Sequence, residues 1–369
     1  MVVKLTYVIN SLTVGGAEKL LLATVKKLNK KKFDITVCSL MKENNLAKDF
    51  EQIGVKVLRL NMFNKRDIRG FLKLYNYFRT QKIDIVHTHL TEADIFGRFA
   101  ALLAKVPVII STEHSVDEWK VHPKKVKAKI RLLLNKIAAN FSNGIVTVSD
   151  KVKYHLIKYE NLNPAKIYVI KNGIEIAEKE DFFVSGKKKD TIVIGSVGRL
   201  CKEKGYDYLL KAFGRVKKKF SNAKLKLAGD GPLRWPLEEL AHELHISADV
   251  SFLGVLDNVA AFLNEIDVFV LSSIQEGLPL SLLEAMAAEK TVITTAVGGI
   301  PEVVNNGIDA VLIPPANVEA LENAIISVIK NGDRREDLGR NARTKILKQF
   351  NINKMVDELE LLYDGLLKK

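Results

Sequence analysis

The chain has 369 residues, more than one hydrophobic core usually organises, and its 47% hydrophobic content is enough for two packed cores. Its two cysteines, Cys38 and Cys201, lie far apart with no His/Cys cluster beside either, which excludes a disulfide framework and a zinc-built fold. We expect a reducing, cytoplasmic setting and an opening β-strand rather than a signal peptide. No apolar run approaches the roughly 20 residues of a membrane-spanning helix.

The net charge of +14 is concentrated in the first half of the chain. Residues 1–180 hold 32 Lys and Arg against 17 Asp and Glu, whereas the remainder is close to neutral. Such a charge asymmetry indicates the kind of binding partner rather than the fold. Both nucleic acid and an anionic membrane are partners that a basic surface could bind. The basic half carries no recognisable nucleic-acid-binding motif, so we expect no nucleic-acid partner.

The first half alternates short β-rich runs with amphipathic helical segments. The strands are predicted at KLTYVI, FDITVCSL, VKVLRL, IDIVHTH, PVIIST and GIVTVS. This alternation is typical of βαβ units around a parallel sheet. It predicts a first α/β domain over residues 1–175.

The strand and helix pattern begins again at TIVIGSVG and continues through KLKLAGD, VSFLG, DVFVLSS, TVITT and AVLIPP. A second domain is therefore predicted over residues 190–350, with the polar, charged segment EIAEKEDFFVSGKKKD as the linker. We expect two doubly wound, Rossmann-like domains facing a central cleft. In such open sheets, ligands bind at the carboxyl ends of the strands.

The sequence lacks the motifs of several common classes of phosphate-binding and acyl-transfer enzymes. There is no G-x-G-x-x-G, because Arg234 stands where AGDG would need its third glycine, and there is neither a P-loop nor a G-x-S-x-G sequence. The absence of any Asp-x-Asp removes one common way of holding a metal on a nucleotide diphosphate. We therefore expect no bound metal and no cofactor.

Two glycine-containing loops after predicted strands could receive phosphate. In NSLTVGGAEKLLLATV, Gly15 and Gly16 precede a predicted helix over residues 17–25, where backbone N–H groups are unpaired, although an ordinary tight turn is the simpler interpretation. In GSVGRLCKEKG, Arg199 and Lys204 follow a buried strand and could hold a diphosphate. The alternative is solvated surface charge.

A third such element is SSIQEGLPLSLLEAMAAEK, where a helix is predicted from Pro279 to about Ala288. Its first N–H groups, around Gly277, Leu278 and Leu280, would favour a phosphate.

Two carboxylates flank that helix start. Glu276 precedes the helix and Glu284 lies inside it, so each could accept hydrogen bonds from sugar hydroxyls on opposite sides of a bound phosphate. A nucleotide-sugar has this layout of ribose, diphosphate and sugar. A helix-dipole role for Glu276 and chance spacing for Glu284 are the alternatives.

Taken together, six segments resemble the retaining glycosyltransferases of family 4. They are GGAE (15–18), VGRLCKEKG (197–205), AGDGPL (228–233), FLG (252–254), EGLPLSLLEAMA (276–287) and GGIPEVV (298–304). The resemblance runs in order from residue 4 to about residue 350. It implies the GT-B fold, with an N-terminal acceptor domain, a C-terminal nucleotide-sugar donor domain, and a final helix (352–369, about Ile352 to Leu367) that packs back on the first domain.

The resemblance also implies roles for individual residues. Glu276 would hold the transferred sugar and Glu284 the ribose, while Arg199 and Lys204 would hold the diphosphate. Other positions would line the donor or acceptor side: Gly16 by its N–H, Val255 in the base-contacting loop, His114 near the donor sugar, and Asn172–Gly173 in the inter-domain turn.

The implied activity is transfer of a sugar from a nucleoside-diphosphate sugar, UDP- or GDP-linked, to a saccharide or lipid-linked acceptor with retention of configuration. We expect a hexosyl- or N-acetylhexosaminyl-transferase of cell-envelope polysaccharide or glycolipid synthesis. A front-face mechanism is favoured, in which the leaving phosphate helps to take the acceptor's proton. A nucleotide-sugar epimerase or phosphorylase-like enzyme on the same fold is the alternative.

Three histidines follow predicted strands. His114, after PVIIST, is expected to face the cleft. His87 and His89, in IDIVHTHL, are either functional or core residues; one is expected to face the core, or both share a face if the strand persists.

The segment KVHPKKVKAKIRLLLNK, Lys120 to Lys136, has seven Lys or Arg and no acid. Val126, Ile130, Leu133 and Ile137 recur at helical spacing, which predicts an apolar face packed on the first sheet. The outward lysines would then hold the enzyme on an anionic membrane, peripherally on its inner face, beside a lipid-linked acceptor.

Overall fold

The computed structural model describes residues 2–62, 67–115, 126–176 and 191–368. The chain divides into two compact units. The N-terminal unit is Met1–Gly173 with Ile352–Lys369, and the C-terminal unit is Ile174–Asn351. The boundary falls directly after the Asn172–Gly173 turn, and most of the segment predicted as a linker lies outside the described residues.

The N-terminal unit is built on a seven-stranded parallel sheet of order β3-β2-β1-β4-β5-β6-β7. Its strands are β1 (Val3–Ile9), β2 (Phe33–Ser39), β3 (Lys56–Arg59), β4 (Ile85–His89), β5 (Val108–Glu113), β6 (Gly144–Thr147) and β7 (Ile167–Val169). Its helices are α1 (Gly16–Lys27), α2 (Ala47–Gln52), α3 (Ile68–Gln81), α4 (Thr91–Leu103), α5 (Val126–Phe141) and α6 (Asp150–Glu160).

The C-terminal unit repeats this plan on a six-stranded parallel sheet of order β10-β9-β8-β11-β12-β13. Its strands are β8 (Val193–Val197), β9 (Lys224–Ala228), β10 (Val250–Gly254), β11 (Val268–Leu271), β12 (Thr291–Thr295) and β13 (Val311–Ile313). Its helices are α7 (Tyr206–Lys219), α8 (Arg234–Glu243), α9 (Val259–Glu265), α10 (Leu280–Ala287), α11 (Val318–Lys330) and α12 (Gly332–Gln349).

Short polar side chains fix where several helices begin. Asp67 accepts from the backbone N–H groups of the first turn of α3, and Ser149 does the same for α6. Asn258, Asn317 and Asn331 cap α9, α11 and α12 in this way. These residues satisfy N–H groups that the helix itself leaves unpaired.

The strand order of each sheet reverses at one place. The reversal lies between β1 and β4 in the N-terminal unit and between β8 and β11 in the C-terminal unit. Loops leaving the carboxyl ends of these strand pairs diverge to opposite faces of the sheet and leave a crevice, which is where doubly wound sheets bind ligands. The two reversals therefore mark two candidate ligand-binding edges, one in each unit.

The last helix, α13 (Ile352–Leu367), belongs to the N-terminal unit and has the bounds expected from the sequence. It packs beside α1. Lys32 forms ion pairs with Asp364 at 2.7 Å and with Glu360 at 3.7 Å, and Glu360 also accepts from the backbone N–H of Asn29. These contacts orient α13 so that Tyr363 enters the core.

Tyr363 completes a buried polar cluster with side chains from three strands. Its hydroxyl lies 2.8 Å from the Tyr7 hydroxyl and 2.6 Å from Nδ1 of His87. The other ring nitrogen of His87, Nε2, lies 2.7 Å from Oγ1 of Thr112. His87 is therefore a core histidine with both nitrogens hydrogen-bonded, and burial, reinforced by His114, lowers its pKa to about 3.

Acid should destabilise the N-terminal unit through His87. Its pKa is about 3 when folded, against the ordinary 6.5, so the unfolded chain takes up a proton first as the pH falls. The stability contribution is complete above pH 6.5 and is lost as the pH falls from there toward 3. Lowering the pH from 7 to 5 should cost about 2 kcal/mol of unfolding free energy from His87 alone.

Urea unfolding followed by circular dichroism at pH 7 and pH 5 measures this loss. His87→Gln keeps a polar side chain but cannot titrate. The loss of unfolding free energy between pH 7 and pH 5 should therefore be smaller in this variant. His242→Gln removes an exposed histidine near the end of α8 and should leave the drop as in the unmodified protein. An unchanged pH dependence in His87→Gln would contradict the assignment.

Candidate functional site

Two loops meet at the strand-order reversal of the C-terminal unit. The loop after β8 and the loop after β11 are joined by hydrogen bonds from Ser272 Oγ to the Lys204 carbonyl (3.0 Å) and from the Ile274 N–H to the Glu203 carbonyl (2.8 Å). Gly205 makes this approach possible, since its φ is +60° and a Cβ there would lie 2.4 Å from the Ser272 carbonyl oxygen. The two loops therefore form one surface.

This surface brings together two residues that the sequence suggested separately. Nζ of Lys204 lies 2.6 Å from Oε1 of Glu276, and the hydroxyl of Ser273 donates to the same oxygen at 2.6 Å. Both charged side chains are largely buried. A cation and a carboxylate thus stand in contact at the edge of the sheet, each within reach of a ligand that enters the crevice.

Arg199 is exposed in the same loop, two residues beyond the end of β8. The pKa of Glu203 lies below its ordinary range, first because of a backbone hydrogen bond and, to a smaller extent, because of the nearby charges of Arg199 and Lys202. The predicted role of Arg199 at a diphosphate stays a prediction.

The helix after this loop begins one residue later than the sequence suggested. Pro279 has ψ 130°, an extended value, and precedes α10 rather than forming its first residue, and the helix ends at Ala287 rather than Ala288. Gly277 and the Leu278 side chain are buried, so only their backbone groups could meet a ligand. Leu280 opens α10, and Glu284 is partly buried in its second turn.

A third loop, after β12, supports Glu276 from behind. Gly299 donates to the Gly277 carbonyl at 2.6 Å, and Thr295 Oγ1 donates to the Ser273 carbonyl at 2.6 Å. A Cβ on Gly298, whose φ is +56°, would lie 2.0 Å from the Glu276 carbonyl oxygen. Sequence reasoning did not assign a role to Ser273 or Gly298, although GGIP follows a predicted strand in the same way as the other loops.

The AGDG segment supports the loop that carries Arg199. Gly229 has φ +133°, and a Cβ on it would lie 2.0 Å from the Gly198 carbonyl oxygen. The Leu200 N–H donates to the Asp230 carbonyl at 2.9 Å. These glycines allow one loop to pack on another. Val255 is exposed just beyond β10, and its predicted contact with a base stays a prediction.

The N-terminal unit carries a polar edge of different character. Nδ1 of His89, at the end of β4, lies 2.9 Å from Nε2 of His114, just beyond β5. His89 is buried and His114 partly exposed. Burial lowers the pKa of His114 to about 4 and that of His89 well below its ordinary value. Both rings are neutral at pH 7, so they can form hydrogen bonds there but carry no charge.

His87 and His89 share one buried face of β4, with ring centroids 4.6 Å apart. The strand therefore stays regular to its end. Of the three histidines, only His114 is more than marginally exposed at the sheet edge.

Between β1 and β4, a cluster that sequence reasoning missed occupies the crevice. Nδ2 of Asn10 donates to Glu92 at 2.9 Å, Oδ1 of Asn10 accepts from the Ala93 N–H at 2.7 Å, and Arg131 pairs with Glu92 at 2.5 Å. Asn10 directly follows β1, a position that could have identified it. Gly16 is the exposed first residue of α1, and a Cβ on it would meet no described atom within 4 Å beyond its chain neighbours and the backbone of its own helix.

Helix α5 contradicts the predicted inward packing of its apolar stripe. Val126, Ile130, Leu133 and Ile137 are 71%, 53%, 58% and 38% exposed. The buried residues are instead Asn135, Ala138 and Ala139.

The reason lies in the neighbouring helix. α4 presents a buried arginine, Arg98, whose Nη2 donates to Oδ1 of Asn135 at 2.6 Å. The small side chains of Ala138 and Ala139 let α5 pack closely, so the larger side chains turn outward. Lys120 to Lys125 of the predicted basic segment lie outside the described residues.

Within 2–62, 67–115, 126–176 and 191–368, no group of three or more His, Cys, Asp or Glu side chains could hold a metal ion. In the same ranges, no helix has the length and apolar character needed to cross a bilayer.

Comparisons with known proteins bear on the whole chain. The sequence model described as Glycosyltransferase Family 4 matches residues 14–178, and that described as Glycosyl transferases group 1 matches residues 177–345. The chain is 28% identical over 366 residues to the UDP-Gal:alpha-D-GlcNAc-diphosphoundecaprenol alpha-1,3-galactosyltransferase of Escherichia coli, covering 95% of this chain and 94% of that protein.

Another relative is the GalNAc-alpha-(1->4)-GalNAc-alpha-(1->3)-diNAcBac-PP-undecaprenol alpha-1,4-N-acetyl-D-galactosaminyltransferase of Campylobacter jejuni. It is 26% identical over 366 residues, which is 96% of each chain. Among solved structures, HepE of Anabaena in complex with UDP-glucose superposes with a TM-score of 0.85 at 19% identity, covering 98% of this chain and 99% of that one.

WaaG, a glycosyltransferase involved in lipopolysaccharide biosynthesis, superposes with a TM-score of 0.79 at 17% identity, covering 98% of this chain and all of that one. Since the two sequence models together span residues 14–345 and both doubly wound sheets have counterparts in GT-B enzymes, the chain belongs to glycosyltransferase family 4 and is a glycosyltransferase of the GT-B fold.

Proposed function

We propose that this enzyme transfers a sugar from a nucleoside-diphosphate sugar, with retention of configuration, to a saccharide carried on a lipid diphosphate. The observation that carries the proposal is the contact of Lys204 and Glu276 beside the start of α10. A cation, a carboxylate and the N-terminal end of a helix stand together where the strand order reverses. That is the set of groups a sugar diphosphate requires.

The diphosphate lies between Lys204 and Arg199 on one side and the start of α10 with the loop before it, Gly277 to Leu280, on the other. Lysine and arginine charges and the positive end of the helix dipole favour the same anion. Glu284 lies four positions beyond Leu280, about 6 Å along the helix axis. It accepts hydrogen bonds from the ribose on the far side of the diphosphate from the sugar.

Donor binding replaces the contact between Lys204 and Glu276. Lys204 turns its charge to the diphosphate, and Glu276 accepts hydrogen bonds from the sugar hydroxyls. Ser273 holds Glu276 in place during this exchange, because its hydroxyl donates to the same carboxylate oxygen. The loops therefore keep their shape while their charged side chains change partners.

In the reaction, the bond between the anomeric carbon and the phosphate oxygen breaks through an oxocarbenium-like state. The acceptor oxygen bonds to the same face of that carbon. The acceptor proton passes to an oxygen of the departing nucleoside diphosphate, whose growing charge Arg199, Lys204 and the helix N–H groups stabilise. No step requires a metal ion or a protein nucleophile.

We propose UDP as the carrier of the sugar and a polyprenyl diphosphate as the carrier of the acceptor, as in cell-envelope glycan synthesis. The Escherichia coli relative is named for a UDP-Gal donor and a diphosphoundecaprenol acceptor, and the Campylobacter jejuni relative for an undecaprenol-linked acceptor. The HepE structures contain UDP and UDP-glucose.

The reaction should retain the anomeric configuration of the donor and should survive EDTA. A panel of UDP- and GDP-sugars, incubated with an undecaprenyl-diphosphate-linked saccharide, identifies the donor, and NMR of the first product gives its anomer. A UDP-sugar is expected to react at the same rate with and without EDTA. An inverted product would refute the proposed mechanism, and reaction with GDP-sugars alone would refute the proposed base.

Calorimetry should distinguish the roles of the two carboxylates, Glu276 and Glu284. Glu284→Gln should weaken UDP binding about 10- to 100-fold, because it loses a charged hydrogen bond to ribose. Glu276→Gln should leave UDP affinity unchanged while transfer falls about 100-fold or more. Glu319→Gln, an exposed acid at the start of α11, is the matched control for both measurements. The reverse pattern would mean that the two assignments are exchanged.

We further propose that the enzyme works at the inner face of an anionic membrane, held there by α5. Its outward face combines large apolar residues with Lys127 and Lys129, the composition of a helix that lies in a membrane interface. Tyr159 is exposed on α6, and its backbone lies near α5, because its carbonyl accepts from Nζ of Lys136. Tyrosine suits the boundary between lipid and water.

Vesicle co-sedimentation tests this attachment. Lys127→Gln with Lys129→Gln should weaken binding to phosphatidylglycerol-containing vesicles about 30-fold at low salt, with a smaller loss at high salt. Ile130→Ser with Leu133→Ser should weaken it at both salt concentrations. Lys218→Gln with Lys330→Gln removes the same charge from exposed sites in the C-terminal unit and should have no effect. If the unmodified protein does not bind anionic vesicles at low salt, the proposed membrane attachment is wrong.

A further inference from the structure

Two neutral imidazoles share one hydrogen bond at the edge of the N-terminal sheet. Nδ1 of His89 and Nε2 of His114 are 2.9 Å apart, and their ring centroids are 5.2 Å apart. A bond between two nitrogens needs one proton, so one ring donates and the other accepts. The direction of this bond decides which nitrogen of each ring carries its single proton.

The surroundings of His89 indicate the direction. Its other nitrogen, Nε2, is buried and has no hydrogen-bond partner among the described residues. If His89 accepted at Nδ1, its proton would stand on Nε2 as a buried donor without an acceptor, which is rare in folded proteins. If His89 donates from Nδ1, Nε2 is left with a lone pair, and no donor is stranded.

We propose that His89 is a positioning residue that donates from Nδ1 to Nε2 of His114 and thereby fixes His114 as the tautomer protonated on Nδ1. The remaining polar atom of His114 is then an N–H donor. In the proposed function, on which this inference rests, that donor meets an oxygen of the transferred sugar. His114 acts by hydrogen bonding and not as a base.

The orientation of His89 is itself fixed from behind. Its ring stacks on His87 at 4.6 Å and lies 5.6 Å from the Tyr7 ring. His87 is hydrogen-bonded through both nitrogens, to Tyr363 and Thr112. A ring held in this way cannot easily flip to exchange its nitrogens, so the proton on Nδ1 of His89 stays directed at His114.

Side-chain nitrogen NMR of the full-length, 15N-histidine-labelled protein at pH 7 reads the tautomer directly. His114 is expected to show a protonated Nδ1 and an unprotonated Nε2. His89→Leu removes the donor and should shift His114 toward the Nε2-protonated form. His89→Asn places an amide N–H near the former Nδ1 and should restore the Nδ1-protonated form.

Turnover should follow the tautomer. We expect kcat to fall about tenfold in His89→Leu and to recover in His89→Asn, with KM for the acceptor unchanged, because a donor to the transferred sugar is weakened. Circular dichroism shows that each variant is folded.

An unprotonated Nδ1 of His114 in the unmodified protein would overturn the proposal, as would a normal kcat in a His89→Leu variant whose tautomer has changed. The NMR result is independent of transfer activity. A failure of the proposed reaction is therefore distinguishable from a failure of the proposed tautomer.

Discussion

The C-terminal unit depends on close contact between backbones at the carboxyl edge of its sheet. Gly205, Gly229 and Gly298 all have positive φ, and in each case a Cβ would lie within 2.4 Å of a carbonyl oxygen on a neighbouring loop. Residues with side chains would force the loops apart. Because the loops touch, Lys204 and Glu276 are held 2.6 Å apart although they are 72 positions apart in sequence.

The two units present different chemistry at the carboxyl edges of their sheets. The C-terminal unit places charged side chains and a helix N-terminus at its edge, which suits an anion. The N-terminal unit places neutral imidazoles there, backed by two buried tyrosines. Burial lowers the histidine pKa values enough that these rings stay uncharged across physiological pH.

The alternation of strands and helices could be predicted from sequence because each buried strand is a short run of β-formers. Strand β7 was missed since it has only three residues, of which one is fully buried. Helical spacing revealed the apolar stripe of α5 but not its direction, because the direction depends on Arg98 of another helix. The pairing of Lys204 with Glu276 and the support from Ser273 could not be predicted either, since both depend on how separate loops pack.

The position of α13 has a consequence for the order in which the protein can be made. The N-terminal unit begins at the first residues of the chain, yet its core is closed by Tyr363, which is synthesised after the whole C-terminal unit. During translation, Tyr7 and His87 therefore lack their hydrogen-bond partner Tyr363 until about half of the chain, the C-terminal unit, has also emerged from the ribosome. Domains usually fold as they are synthesised, N-terminal first. Here the first unit to appear is the last to be completed, so a nascent chain needs its final helix before the N-terminal unit reaches its full stability.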